Sequence, residues 1–161
     1  QGFSNQRNAF TQVLGGDDLD ASLLLMPVMG IIEPDDPRML GTIDAILEEL
    51  TEHDLVYRYH ADDGLEGGEG AFLLCTFWLV DALALAGRID EADRIYEGML
   101  RRANRVGLYS EQIDATTGAF LGNFPQAFSH LGLINSAINL ARARGRGEAG
   151  SHWKPPGSHD H

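Results

Sequence analysis

The sequence predicts an all-α fold, and three features carry that reading. Five segments repeat apolar residues at spacings of three and four, as one face of a helix requires. One of these segments is apolar around most of its circumference, and a one-sided segment follows it almost directly. The joining stretches are long and rich in glycine and polar groups rather than in strand-forming runs. An all-buried helix followed by a one-sided one suits the inner and outer layers of a helical toroid, since the outer helix must cover the inner. A plain bundle around one central helix accounts for the same pattern.

Taken in order, Leu19–Met26 is short and apolar, with Asp17 and Asp18 placed as caps and Pro27 as its stop. Pro37–Leu50 opens on a proline suited to a first helical turn, after Asp35 and Asp36. Its Leu40, Ile43, Ile46, Leu47 and Leu50 share one face. Ala71–Ala86 is the all-buried segment, with Phe72, Leu73, Leu74, Phe77, Trp78, Leu79, Val80 and Leu83 spread around it. Gly87-Arg88-Ile89 links it tightly to Asp90–Val106, whose apolar face carries Ala92, Ile95, Tyr96, Met99, Leu100 and Ala103. The last helix, Gln126–Ala143, places Phe128, Leu131, Ile134, Ala137, Ile138 and Ala141 on one apolar face. Beyond Arg144 the composition turns to Gly, Pro and His, so residues 145–161 are expected to form a disordered tail.

Bulk composition narrows the function classes. A chain of 161 residues with 43% hydrophobic content can bury one ordinary core. Its net charge of −12 repels phosphate backbones and anionic lipid, which disfavours nucleic-acid and membrane-surface roles, while neutral substrates such as sugars are indifferent to it. No run approaches the roughly 18 apolar residues of a membrane span. Cys75 lies alone in the apolar run Phe72–Val80 and reads as a small buried hydrophobe, which fits a reducing, cytoplasmic setting. The first residues show neither a signal-peptide pattern nor an initiator Met, which suggests that a segment precedes them. No phosphate loop or closely spaced metal-ligand set occurs, so neither a metal nor an organic cofactor is expected. His152, His159 and His161 fall in the tail, and His60 and His130 read as structural.

Two loops concentrate the chemistry. Tyr57-Arg58-Tyr59-His60 leads into 61–70, which holds Asp62, Asp63, Glu66 and Glu69 among four glycines. Residues 107–125 contain Ser110-Glu111-Gln112 and the turn-like Asp114–Gly118, which predicts a β-hairpin near 109–121. Glycoside hydrolysis needs two carboxyl groups about the scissile bond, together with polar and aromatic groups that hold the sugar. Glu69 and Glu111, with Arg58, Tyr57, Tyr59, Tyr109, Gln112 and Trp78, stand at positions that could converge for that purpose. By themselves, acidic loop residues are more often solvated surface groups.

The stretch Glu66-Gly-Gly-Glu-Gly-Ala-Phe-Leu-Leu-Cys-Thr-Phe-Trp-Leu-Val-Asp-Ala-Leu closely resembles a signature of glycoside hydrolase family 15, the glucoamylase and bacterial trehalase family. So do Gly107-Leu-Tyr-Ser-Glu-Gln-Ile-Asp and, after Gly118, Leu121-Gly-Asn-Phe-Pro-Gln-Ala-Phe-Ser-His-Leu. Ala9-Phe-Thr-Gln and Leu19-Asp-Ala-Ser-Leu-Leu-Leu-Met-Pro are similar to that family as well, so the likeness runs from about Ala9 to Ala143.

The resemblance implies that residues 1–144 are the C-terminal part of an (α/α)6 catalytic domain, about half of its helix pairs. It places the general base on Glu111, with inversion as the outcome, and makes Arg58 a donor to glucose hydroxyls in the innermost subsite. Tyr57, Tyr109 and Gln112 join the expected substrate-binding set. Glu69 is read as a pocket-lining or loop-ordering carboxylate, because the family's general acid lies upstream of this sequence. Arg58 could instead pair with a nearby loop acid, Phe77 and Trp78 read as core, and Asp17, Asp18 and Asp20 serve equally as caps. The expected substrates are trehalose or α-linked glucose oligosaccharides, and the expected partner is the missing N-terminal part of the enzyme. Half a toroid also exposes apolar faces that invite a homo-oligomer. A non-catalytic sugar-binding domain on the same scaffold is the alternative.

Overall fold

The computed structural model of the chain describes residues 2–59 and 70–149. Its helices are α1 (Leu25–Val28), α2 (Pro37–Glu49), α3 (Leu73–Leu85), α4 (Ile89–Arg101) and α5 (Ala127–Ala149), with a 3-10 turn at Ala21–Leu24. Seven two-residue strands sit at the loop ends: β1 (Phe3–Ser4), β2 (Ala9–Phe10), β3 (Thr51–Glu52), β4 (Leu55–Val56), β5 (Ala71–Phe72), β6 (Gln112–Ile113) and β7 (Phe120–Leu121). β1 pairs with β2, β3 with β4, and β5-β6-β7 form a three-stranded antiparallel sheet. The fold is all-α in its layers, as expected, and the strands serve only to organise connections.

Burial around α3 explains its composition. Leu74, Trp78 and Leu85 are half-buried, and the rest of its residues are buried. It packs chiefly on α5 and α4, and also on α1 and the 3-10 turn. Cys75 is buried, and loss of solvation pushes its thiol up to about 12, which makes it the inert hydrophobe expected. α4 is one-sided as predicted, burying Ala92, Ile95 and Met99. Asp90 and Glu91 stand in its first turn and Arg101 in its last, each sign suited to the helix dipole. Arg88, at its start, pairs with Asp44 of α2 and Glu91 of α4, tying the two helices together.

Several boundaries differ from the sequence expectation, each for a local reason. The segment predicted as Leu19–Met26 is a 3-10 turn that continues into α1 through Pro27, which sits early enough in α1 to need no N–H partner. Its cap is Asp20, whose carboxylate accepts from Ser22 N at 2.7 Å. α4 stops at Arg101 rather than Val106, because Asn104 Oδ1 captures Val106 N at 3.0 Å and Leu108 N at 2.8 Å. α5 runs on to Ala149, past the expected end at Ala143 and through the first five residues of the expected tail, whose remainder, 150–161, lies outside the described residues.

The largest difference is the face that α5 uses. Ser129, Gly132, Ser136, Leu140 and Ala143 are buried, whereas Phe128, Leu131, Ile134 and Ile138 remain exposed. Small residues win this contact because α3 approaches closely: a Cβ on Gly132 would lie 2.8 Å from Phe77 Cδ2. Ser136 Oγ then donates to Phe77 O at 3.1 Å. The apolar face read from periodicity is real, but it points away from the rest of this chain.

Candidate active site

The hairpin expected near 109–121 is present, and its register builds the site. Gln112 pairs with Leu121 and Ile113 with Phe120. Its turn is made by Asp114, whose Oδ1 accepts from Thr116 N at 2.9 Å and Thr117 N at 2.6 Å, and by Gly118 at φ 73°. These N–H donors hold the Asp114 carboxyl below the usual range. The third strand, which the sequence did not announce, sets Phe72 opposite Gln112 and lets Leu73 N donate to Glu111 O at 3.1 Å. The carboxylate-bearing loop is thus fastened to the start of the most buried helix.

Anchors on both sides hold the Ser110-Glu111-Gln112 segment. Ser129 Oγ of α5 donates to Ser110 O at 2.7 Å, and Ser110 Oγ donates to Gln112 O at 2.6 Å. Glu111 N donates to Asn123 O at 2.9 Å. Glu111 Oε2 accepts twice from a single residue, from Asn123 N at 3.1 Å and Asn123 Nδ2 at 2.9 Å. Gln112 Oε1 accepts from Gly70 N at 3.3 Å and so ties the far end of the acidic loop to the hairpin.

The other wall comes from the segment after β4. The β3–β4 turn uses His53 and Asp54 with φ of 51° and 66°, as a tight two-residue hairpin turn demands. Two residues beyond β4, Arg58 O accepts from Ala21 N at 2.9 Å, which pins the backbone to the 3-10 turn. The Arg58 side chain is half-exposed, 3.9 Å from Asp20 Oδ2 and 5.7 Å from the centroid of the Tyr59 ring. Arg58 thus pairs with Asp20 as an ion pair at a distance longer than a hydrogen bond, which leaves its N–H groups open to other acceptors.

Between these walls lies a cleft of about 190 Å³ lined by Arg58, Tyr59, Gly70, Phe72, Glu111 and Gln112. Arg58, Glu111 and Gln112 converge there as the sequence led one to expect. Tyr109 does not: it is buried, its hydroxyl donates to Met99 O at 3.0 Å, and its ring packs edge-on to Phe77. Its hydroxyl and ring are turned into the core beside the loop that carries Glu111. Tyr57 also lies outside the cleft lining, packed against the core with its hydroxyl donating to Glu52 at 2.9 Å. Glu69, His60 and the rest of 60–69 lie outside the described residues. Phe77 is core, and Trp78 packs against it.

Phe72 and Asn123 belong to the site but escaped the sequence reading, which put one in a helix and the other in a link. A signal for Asn123 existed. Once Asp114–Gly118 is taken as a turn, antiparallel pairing carries residue 111 to the neighbourhood of 122 and 123. The cleft therefore combines one carboxylate, a planar guanidinium, an amide and two aromatic rings, the side-chain types that hold a polyhydroxylated ring and act on it.

The family profile described as glycosyl hydrolases family 15 matches residues 1–138. The chain belongs to glycosyl hydrolase family 15. Among curated relatives of this family 15 chain, the trehalase of Mycobacterium tuberculosis (strain ATCC 25618 / H37Rv) is 46% identical over 154 residues, covering 94% of this chain and 23% of that protein. The trehalase of Thermoplasma acidophilum is 47% identical over 144 residues, covering 89% of this chain and 25% of that protein. The family 15 chain thus spans about a quarter of the length of these relatives. Among solved structures, a wild-type glycosidase superposes with a TM-score of 0.75 at 26% identity, over 87% of this chain and 40% of that one. A variant glycosidase in complex with glucose gives 0.74 at 25% identity with the same coverage. This coverage fits a part of the family's catalytic toroid.

Proposed function

We propose that this chain contributes the base side of the active site to an enzyme that hydrolyses α-glucosidic bonds with inversion, with trehalose as the first substrate to test. The observation that carries the proposal is Glu111, a carboxylate held at one oxygen by two N–H donors and set beside Arg58 and Gln112 in the cleft. The trehalase names of relatives near 46% identity favour trehalose over maltooligosaccharides.

In this reading the terminal glucose enters the cleft with its hydroxyls toward the Arg58 fork and the Gln112 amide, and Tyr59 and Phe72 face its less polar surface. Glu111 takes a proton from a water below the anomeric carbon as that water attacks. The C–O bond to the leaving sugar breaks, and an acid outside this chain protonates the departing oxygen. The attacked glucose is released as the β-anomer, because attack comes from the face opposite the leaving group, and from trehalose the departing sugar is a second glucose that keeps its α configuration. No organic cofactor takes part, and the reaction is assigned to the cytoplasm. The 161-residue chain by itself is expected to be inactive or nearly so, because loss of a general acid costs about a hundredfold to ten-thousandfold.

The test is hydrolysis of trehalose and of maltooligosaccharides by the full-length enzyme, wild type and Glu111→Gln, with the released anomer followed by NMR. The wild type is expected to release β-glucose from maltooligosaccharides and equal initial amounts of the α- and β-anomers from trehalose, with a loss of at least about a hundredfold in Glu111→Gln. An unchanged rate in Glu111→Gln removes Glu111 from the mechanism. Glucose binding without hydrolysis by the full-length protein moves the reading to a sugar-binding domain.

A further inference from the structure

We infer that Asn123 is a positioning residue that assigns different roles to the two oxygens of Glu111, an inference that rests on Glu111 acting as the base. Both N–H groups of Asn123 that reach this carboxylate end on the same oxygen: the backbone N is 3.1 Å and Nδ2 2.9 Å from Oε2. A carboxylate oxygen that accepts two such donors is held in place and carries much of the negative charge. Oε1 is left as the oxygen that accepts the proton of the attacking water.

Two further features make this arrangement specific. Gly122 stands at φ 71°, and a Cβ there would lie 2.9 Å from Oε2 and 3.1 Å from the Glu111 Cβ. No side chain fits between the hairpin arms at that point, so the carboxylate can lie directly against the backbone that presents Asn123. The return bond from Glu111 N to Asn123 O, at 2.9 Å, closes the pair into a reciprocal unit. Asn123 is itself exposed and is not part of the cleft lining. It therefore acts through Glu111 rather than on the sugar.

The experiment compares Asn123→Ala and Asn123→Asp in the full-length enzyme, measuring kcat, KM and product inhibition by glucose. Asn123→Ala removes the side-chain donor and is expected to lower kcat about tenfold to a hundredfold. KM and glucose inhibition should stay within about twofold, since the groups that hold the sugar are untouched. Asn123→Asp is the deciding variant. It matches the native shape, yet it sets a second carboxylate against Oε2, and two neighbouring carboxylates share a proton, which occupies the base. Asn123→Asp should therefore be slower than Asn123→Ala at neutral pH. A merely structural asparagine gives the reverse order, because the isosteric variant is then the milder one, and that order overturns the inference. Rates within twofold of wild type in both variants overturn it as well. Loss in Glu111→Gln with no loss in either Asn123 variant sinks the positioning role alone, whereas an unaffected Glu111→Gln sinks the underlying function.

Discussion

Asp81 shows what one residue costs when its charge is buried. It lies on α3 facing α5, is buried, and its Oδ1 has no hydrogen-bond partner among the described residues. Burial pushes its carboxyl from 3.8 up to about 6, against the opposing pull of Asn139 and Ser136. The folded state thus disfavours the ionised form. The resulting penalty is absent below about pH 3.8, grows as pH rises toward about 6, and is complete above that. Asp81→Asn is expected to stabilise the protein at pH 7 by about 1–3 kcal/mol, the gain shrinking to nothing near pH 4. Thermal melts of both forms across that range check it, and a pH-independent difference would assign the effect to packing instead. Glu111 is the contrasting residue: its carboxylate is half-exposed and fully served at Oε2, which suits a group kept for chemistry rather than for stability.

At the scale of elements, the α3–α5 contact is governed by what is small. Gly132→Val should separate the helices at Phe77 and Leu74, whose atoms already lie 2.8 to 3.1 Å from a Cβ at that position. A loss of about 1–3 kcal/mol is expected, read by denaturant unfolding, and no change would mean that the two helices can slide apart freely. This contact also marks where sequence reading fell short. Periodicity located α2 and α4 because burial on a dominant face imposes it, and α3 was legible from apolar residues around most of its circumference. On α5 two faces compete, one apolar and one made of Gly and Ser, and hydropathy alone selects the wrong one for the α3 contact. Boundaries failed where a side chain outbids the helix, as Asn104 does after α4. The hairpin was legible from Asp114–Gly118, but the two-residue strands β1 to β5 were not, because runs so short carry no alternation to read. Of the cleft lining, Glu111 and Gln112 were legible through the long Gly107–Asp114 motif and Arg58 through the short Tyr57–His60 stretch. Tyr57 and Tyr109 stand in the same two stretches, but their hydroxyls donate to Glu52 and to Met99 O, and only geometry sets them apart from the cleft lining.

For the whole molecule, the exposed stripe on α5 is the defining surface. Phe128, Leu131, Ile134 and Ile138 are between 43% and 58% exposed, at helical spacings that join them into one band, with Phe124 at its head. A continuous apolar band of this kind draws a partner surface. In the full-length enzyme, we propose that another helix of the toroid covers it. The 161-residue chain alone is expected to self-associate through it, and the double variant Leu131→Glu with Ile134→Glu should shift sedimentation toward monomer without loss of helical signal. A wild-type chain that stays monomeric at high concentration would show that the band is not adhesive. No helix among the described residues is long and apolar enough to cross a membrane.

The hairpin that carries Glu111 has a consequence for biosynthesis. Glu111 and Asn123 are only twelve positions apart, and the turn between them is set by Asp114 and Gly118 within the same stretch. Closing so short a loop costs little chain entropy and needs no distant segment. The reactive arm can therefore take shape on the nascent polypeptide as soon as it clears the ribosome. What α5 must then deliver is the Ser129 anchor that fixes the arm, and what the other helices deliver is the chamber in which the base works.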